Sequence, residues 1–203
     1  MWKQLLKVRD KVLNFCGGVS NLKQLISSCH INSKLKLSAL YYALYPASAN
    51  VLWRETVWEC LSFPKHAFVL WLAAHDRLLT QDKLLRRGII NINHCKLCSG
   101  AVTECRNHLF FDCSFSRDVW NGIMDWIHFK WRSCDWCILL NWYNSRLKGN
   151  GLKHKVKRMA LAATVYSVWR ERNARIFGQN SKSVEHLIRD IFSTVINRRI
   201  LSI

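Results

Sequence analysis

His94-Cys95-Lys96-Leu97-Cys98-Ser99-Gly100-Ala101-Val102-Thr103-Glu104-Cys105-Arg106-Asn107-His108-Leu109-Phe110-Phe111-Asp112-Cys113 is the stretch on which the reading of this chain turns. A C-x2-C pair bends sharply enough to set two thiolates on one ion, and Cys95 and Cys98 have that spacing. His108 and Cys113 follow as H-x4-C, so the whole pattern is C-x2-C-x9-H-x4-C. Zinc takes sulfur and imidazole ligands in a tetrahedron, and four protein ligands leave no position for water or substrate. The spacing therefore predicts one structural Zn2+ held by Cys95, Cys98, His108 and Cys113, with metal binding contributing to the folding of residues 90–115.

The bland alternative is a set of buried apolar cysteines beside a core histidine. It has to explain polar Lys96 and Ser99 next to the cysteines. His94 and Cys105 are spare ligand candidates; Cys105 in place of His108 would break the C-x2-C…H-x4-C arrangement. Glu104 lies four residues before His108. On a helix its carboxylate would accept the free ring N–H of His108, and otherwise it is a surface carboxylate.

Outward from this loop the pattern is helical. The chain has only two prolines and eight glycines among 203 residues, which favours long helices over a turn-rich sheet. Residues 2–16 read as an amphipathic helix stopped by Gly17-Gly18, with a polar stretch after it. Residues 35–44 form a short helix ended by Pro46, and residues 51–61 carry Trp53, Val57, Trp58 and Leu61 at helical spacing. Pro64 opens a helix to about Leu78 that is apolar nearly all round, which places it at the centre of the fold. Thr80 is the expected N-cap of the next helix, closed by Gly88, with residues 89–94 extended. Ser116 is the expected cap of a helix over 117–129. Further helices are expected over 135–147, 152–177 and from Val184, where Leu187, Ile188, Ile191, Phe192, Val195 and Ile196 repeat at i, i+3, i+4. The segment 148–151 is the best linker.

Charge says what partner such a module would take. Lys+Arg is 31 against 13 Asp+Glu, a formal charge of +18. That excess attracts polyanions, with RNA or DNA as the foremost class. Arg146, Lys148, Lys153, Lys155, Lys157 and Arg158 are the densest basic group, Arg170, Arg172 and Arg175 a second one, and Arg86 and Arg87 stand just before the metal loop. The residues expected to contact phosphate are Arg86, Arg87, Lys153, Lys155, Lys157 and Arg158; a solvated helix face is the competing reading. Trp126, Trp131, Trp136 and Trp142 are candidates for base stacking, though core packing suits most of them. Cys134 and Cys137 repeat the C-x2-C spacing, but only His128 and His154 are at hand to complete a second site, so they read as core cysteines. No segment reads as a signal peptide or membrane span, and the odd cysteine count suits reduced thiols, so the chain is expected to be intracellular, in nucleus or cytoplasm.

The metal loop and its flanks resemble the reverse-transcriptase zinc-binding domain of plant LINE-type (non-LTR) retrotransposon polyproteins. The resemblance runs from Trp53 to Trp120: Trp58, Phe63-Pro64-Lys65-His66-Ala67-Phe68, Trp71-Leu72, Arg77-Leu78-Leu79-Thr80, Asp82-Lys83-Leu84, then Cys95, Cys98, Glu104, His108-Leu109-Phe110-Phe111, Cys113, Phe115 and Trp120. Val168-Trp169-Arg170-Glu171-Arg172-Asn173-Ala174-Arg175-Ile176-Phe177 is similar to a segment that often follows in these polyproteins. The resemblance implies a piece, or a stand-alone derivative, of the C-terminal part of such a polyprotein, handling the element's RNA or DNA beside its reverse transcriptase. The back half of the ligand pattern also has retroviral zinc-knuckle spacing.

The expectation is thus an all-α protein with an embedded CCHC zinc knuckle. Its parts are an N-terminal helical segment (1–46), the zinc-binding domain (47–131) and a C-terminal helical segment (132–203). It is expected not to be an enzyme. Neither the paired aspartates of a polymerase nor a metalloprotease, phosphate-loop or serine-hydrolase motif is present. The competing reading is a protein-interaction scaffold with a purely structural zinc site.

Overall fold

The computed structural model describes residues 2–31, 33–45, 51, 53–98, 100–128, 135–149 and 151–200, with side chains from Leu6 to Arg198. Pro46, Ser99, Phe129, Trp131, Cys134 and Asn150, which the sequence singled out, lie outside the described residues, as do the side chains of Trp2 and Leu5. The fold is helical, with one antiparallel two-stranded ladder among the described residues. It divides into two compact units, Met1–Val51 and Leu52–Ile203. Residues from 132 onward that are described belong to the second unit, together with the metal loop.

In the first unit, α1 (Trp2–Cys16) ends at Gly17, whose φ of 71° only glycine adopts without strain. The stretch read as polar from the sequence is α2 (Val19–Ser28), followed by β1 (His30–Ile31) and β2 (Lys34–Leu35), then α3 (Leu37–Leu44). Leu22, Leu25 and Ile26 on α2 carry a short apolar spacing that its serines mask. Cys29 is the one fully buried hydrophobic residue of this unit among the described side chains.

The second unit holds the core. The spacing over 51–61 yields only α4 (Arg54–Val57), and Pro64 at N1 starts α5 (Pro64–Ala74). Then come α6 (Gln81–Arg86), a π-helical turn (His108–Asp112), α7 (Ser114–Trp126), α8 (Trp136–Arg146), α9 (Leu152–Ile176) and α10 (Val184–Ile200). The central element is α9, not α5. Met159 to Val165 of α9 are buried without a break, whereas α5 buries His66, Ala67, Leu70 and Ala73 and leaves Phe68 half exposed. Alanines at 160, 162 and 163 let neighbouring helices approach α9 from several sides, so α5, α7 and α10 all pack on it. On α10, Leu187, Ile191 and Val195 form the buried stripe, as the i, i+4 repeat requires. Where α10 meets α7, Gly122 faces Ile188: a Cβ there would lie 2.5 Å from Ile188 Cδ1.

Two expected caps are filled differently. Thr80 turns its hydroxyl to Asp82, and the Gln81 N–H at the head of α6 instead donates to Glu104 Oε1, 2.8 Å. Ser116 lies inside α7, fully buried, and donates to Leu109 O at 2.6 Å. Asp135 does cap α8, accepting from the Ile138 N–H at 2.9 Å. Among the described residues, no helix is long and apolar enough to cross a membrane.

Candidate metal centre

The first two ligand positions sit on a short hairpin. His94 bridges Thr103, the Cys95 N–H donates to Val102 O at 2.8 Å, and the Glu104 N–H donates to Asn93 O at 2.7 Å. These bonds set residues 93–95 alongside residues 102–104. The Leu97 N–H then points at Cys95 Sγ, 3.4 Å, an N–H···S contact that favours the thiolate form.

The other two positions come from the π-helical turn. In an α-helix residues i and i+5 lie about 140° apart around the axis and could not share a ligand. A π turn closes an i→i+5 bond, and here the Cys113 N–H donates to His108 O at 2.8 Å. His108 and Cys113 are thereby stacked on one side. Leu109, Phe110 and Phe111 on the same turn enter the core. Two carbonyls of the widened turn accept from side chains of α7: Leu109 O from Ser116, and Phe110 O from Trp120 Nε1 at 2.7 Å. The sequence leaves Glu104 either as a helical partner of His108 or as a surface carboxylate, and it points to no π turn.

Cys95, Cys98, His108 and Cys113 converge, with one ligand atom from each and all four atoms within 4.8 Å of one another. Cys95 Sγ and Cys113 Sγ are 3.9 Å apart, and Cys98 Sγ and His108 Nε2 are 3.5 Å apart. Zinc bonds of about 2.3 Å to sulfur and about 2.0 Å to nitrogen, at tetrahedral angles, give edges of about 3.8 and 3.5 Å. The donor set and these two edges thus fit a zinc ion. The Cys95 thiol donates to Cys113; that bond, then burial, push Cys95 up, and the same bond holds Cys113 down. A cation on both sulfurs displaces that proton, so its binding weakens in acid. Cys98 is the half-buried ligand; the other three are buried.

The spare candidates stay out of the cluster. His94 is exposed, and Cys105 accepts the His108 N–H at 3.4 Å from outside the ligand set. Glu104 is neither a partner of the His108 ring nor a surface carboxylate. It is fully buried, and its carboxylate takes Arg172 Nη2 at 2.6 Å and Nε at 3.1 Å besides the Gln81 N–H. Arg172 also donates to Leu79 O at 3.3 Å. One turn on, Arg175 pairs with buried Glu171 and donates to Leu97 O at 3.0 Å, gripping the backbone between Cys95 and Cys98. The metal loop is therefore clamped to α9 by two arginines that the sequence grouped as a basic cluster. Arg106 does similar work on α5, donating to Ala73 O and Ala74 O at its C-terminus.

The expected phosphate contacts divide. Arg158 is buried, 2% exposed, and bound to Glu59 Oε2 at 2.6 Å and to Leu147 O at 2.7 Å, so it is removed from the set: a guanidinium with every direction taken inside the core cannot meet a phosphate. Lys153 is exposed and Lys155 and Lys157 are half-buried on the first turns of α9. Arg86 and Arg87 are exposed, Arg86 in an ion pair with Asp82. Of the tryptophans, Trp136 is buried edge-on to Phe110 and Phe111, and half-buried Trp126 packs on Phe192.

Helical scaffold and Cys3His cluster together define a zinc-binding module. Residues 36–120 match the family described as zinc-binding in reverse transcriptase, which supports a domain of that type in this chain. The match stops at Trp120, inside α7. No curated protein and no solved structure matches the chain.

Proposed function

We propose that this chain is a non-catalytic module, derived from a plant LINE-type retrotransposon polyprotein, that binds one structural zinc ion and uses its basic surface to hold RNA or DNA beside the element's reverse transcriptase. The observation that carries this reading is the closed ligand set. Three sulfurs and one imidazole converge, and an ion held by all four in a tetrahedron would have no position left for an activated water. Zinc then serves to fix the loop, and the net charge of +18 supplies the attraction for a polyanion.

Filter binding of the zinc-loaded chain to single-stranded RNA and DNA at several salt concentrations tests the reading. Binding should weaken steeply with salt, because each phosphate contact releases a counterion. Affinity equal to that of a neutral control protein, or indifferent to salt, would overturn it. Metal content of the purified chain should be one zinc per molecule, and Cys113→Ser should lose it.

A further inference from the structure

A cavity of about 380 Å³ opens between the start of α5, the C-terminal half of α9 and the face of α10. Lys65 and Arg170 stand at it, and neither is in an ion pair among the described residues. The two carboxylates of the lining are already engaged. Glu171 holds Arg175 and the Lys182 N–H, and Asp190 holds the Lys182 ammonium. Ser193, Thr194 and Asn197 of α10 add neutral donors on the opposite wall.

We infer that this cavity is a seat for the phosphate group of a nucleotide, either a free one or a unit of a polynucleotide; as the site of contact for a nucleic acid it rests on the function proposed above. Two uncompensated cations facing hydroxyl and amide donors match an oxygen-rich anion that accepts several charge-assisted hydrogen bonds. The volume exceeds that of a bare phosphate and leaves room for the group that carries it. Phe63 and Leu187 give part of the wall an apolar surface.

His66 lines the same cavity. It is 4% exposed, its ring is stacked on Tyr166 at 4.3 Å, and its Nδ1 has no hydrogen-bond partner among the described residues. Burial, then the charges of Lys65 and Arg170, lower its pKa to about 4, so it is neutral at pH 7. Lys65 Nζ rests 5.3 Å from the centroid of the Tyr166 ring, a loose cation–π contact that a phosphate can outcompete.

Titration of the isotope-labelled, zinc-loaded chain with inorganic phosphate, uridine monophosphate and uridine, followed by amide chemical shifts at low salt, tests the seat. Phosphate and the monophosphate should move the signals of Lys65, Tyr166, Arg170 and Thr194, the monophosphate at lower concentration, and uridine should not. The double variant Lys65→Ala/Arg170→Ala should unfold at the wild-type temperature, lose these shifts and bind a single-stranded oligonucleotide roughly tenfold more weakly. No shift with either phosphate compound, or equal shifts in the double variant, overturns the seat. If the monophosphate binds but no oligonucleotide does, the polynucleotide reading fails and the seat stands. If the oligonucleotide binds both proteins equally and the monophosphate binds neither, the seat fails and the reading stands.

Discussion

Arg158 and Arg172 sit toward opposite ends of α9, and both are buried against a buried glutamate, Glu59 in one case and Glu104 in the other. Each guanidinium also takes backbone carbonyls, Leu147 and Gly149 at the first and Leu79 at the second, so neither charge is left unpaired. The difference lies in what is tied down. Arg158 fastens the α8–α9 connection and the segment before α5. Arg172, with Arg175 one turn on, fastens the metal loop. A buried ion pair adds little net stability over apolar packing, yet stripping one partner leaves a charge in the core. The C-terminal half of α9 is therefore part of the metal centre's support, and it lies outside the residues that match the zinc-binding family.

The most damaging way to break the comparison is to remove the metal. Chelation, or Cys113→Ser, should abolish amide-exchange protection over 95–113, since structural zinc contributes on the order of 10 kcal/mol in small metal-folded units. Protection that survives intact would mean that the arginine clamp alone holds the loop. Next in size are Arg172→Ala and Arg158→Ala, each expected to cost about 3–5 kcal/mol in denaturant unfolding. The two should part company on zinc. Arg172→Ala should weaken metal affinity roughly 10–100-fold in competition with a chromophoric chelator, and Arg158→Ala should leave it unchanged. Equal zinc affinities in both variants would dissolve the distinction between the two ends of α9.

A smaller effect comes from His66, which packs against Tyr166 in the C-terminal half of α9. Its pKa is about 4 in the folded chain against 6.5 for an ordinary histidine, so the unfolded chain binds the proton more readily. Its contribution to stability is complete above about pH 6.5 and is lost as pH falls toward about 4. Thermal unfolding followed over that range should be flatter for His66→Gln than for wild type, and parallel profiles would contradict the assignment. Smallest of all for stability is Lys153→Ala at the exposed start of α9. Unfolding and zinc affinity should not change, while the logarithmic salt slope of RNA binding should drop by about one. An unchanged slope would take Lys153 out of the interface.

What the sequence determined by itself was what depends on spacing. The ligand set followed from C-x2-C and H-x4-C, the long helices α1, α9 and α10 from their apolar period, and the start of α5 from Pro64, because each is a local rule of geometry. The tertiary structure alone decided the fate of polar groups whose partners are far along the chain. Glu104 reads as a partner of His108 or a surface carboxylate until Arg172 reaches it, and Arg158 reads as surface charge until Glu59 does. The same holds for the π turn and for Ser116, whose roles are set by carbonyls that only the packed core brings into reach. Charge in a sequence has no direction, and burial gives it one: Arg158 and Arg172 turn inward onto paired acids, while Lys65 and Arg170 make no ion pair among the described residues because Glu171 and Asp190 beside them are taken by other partners.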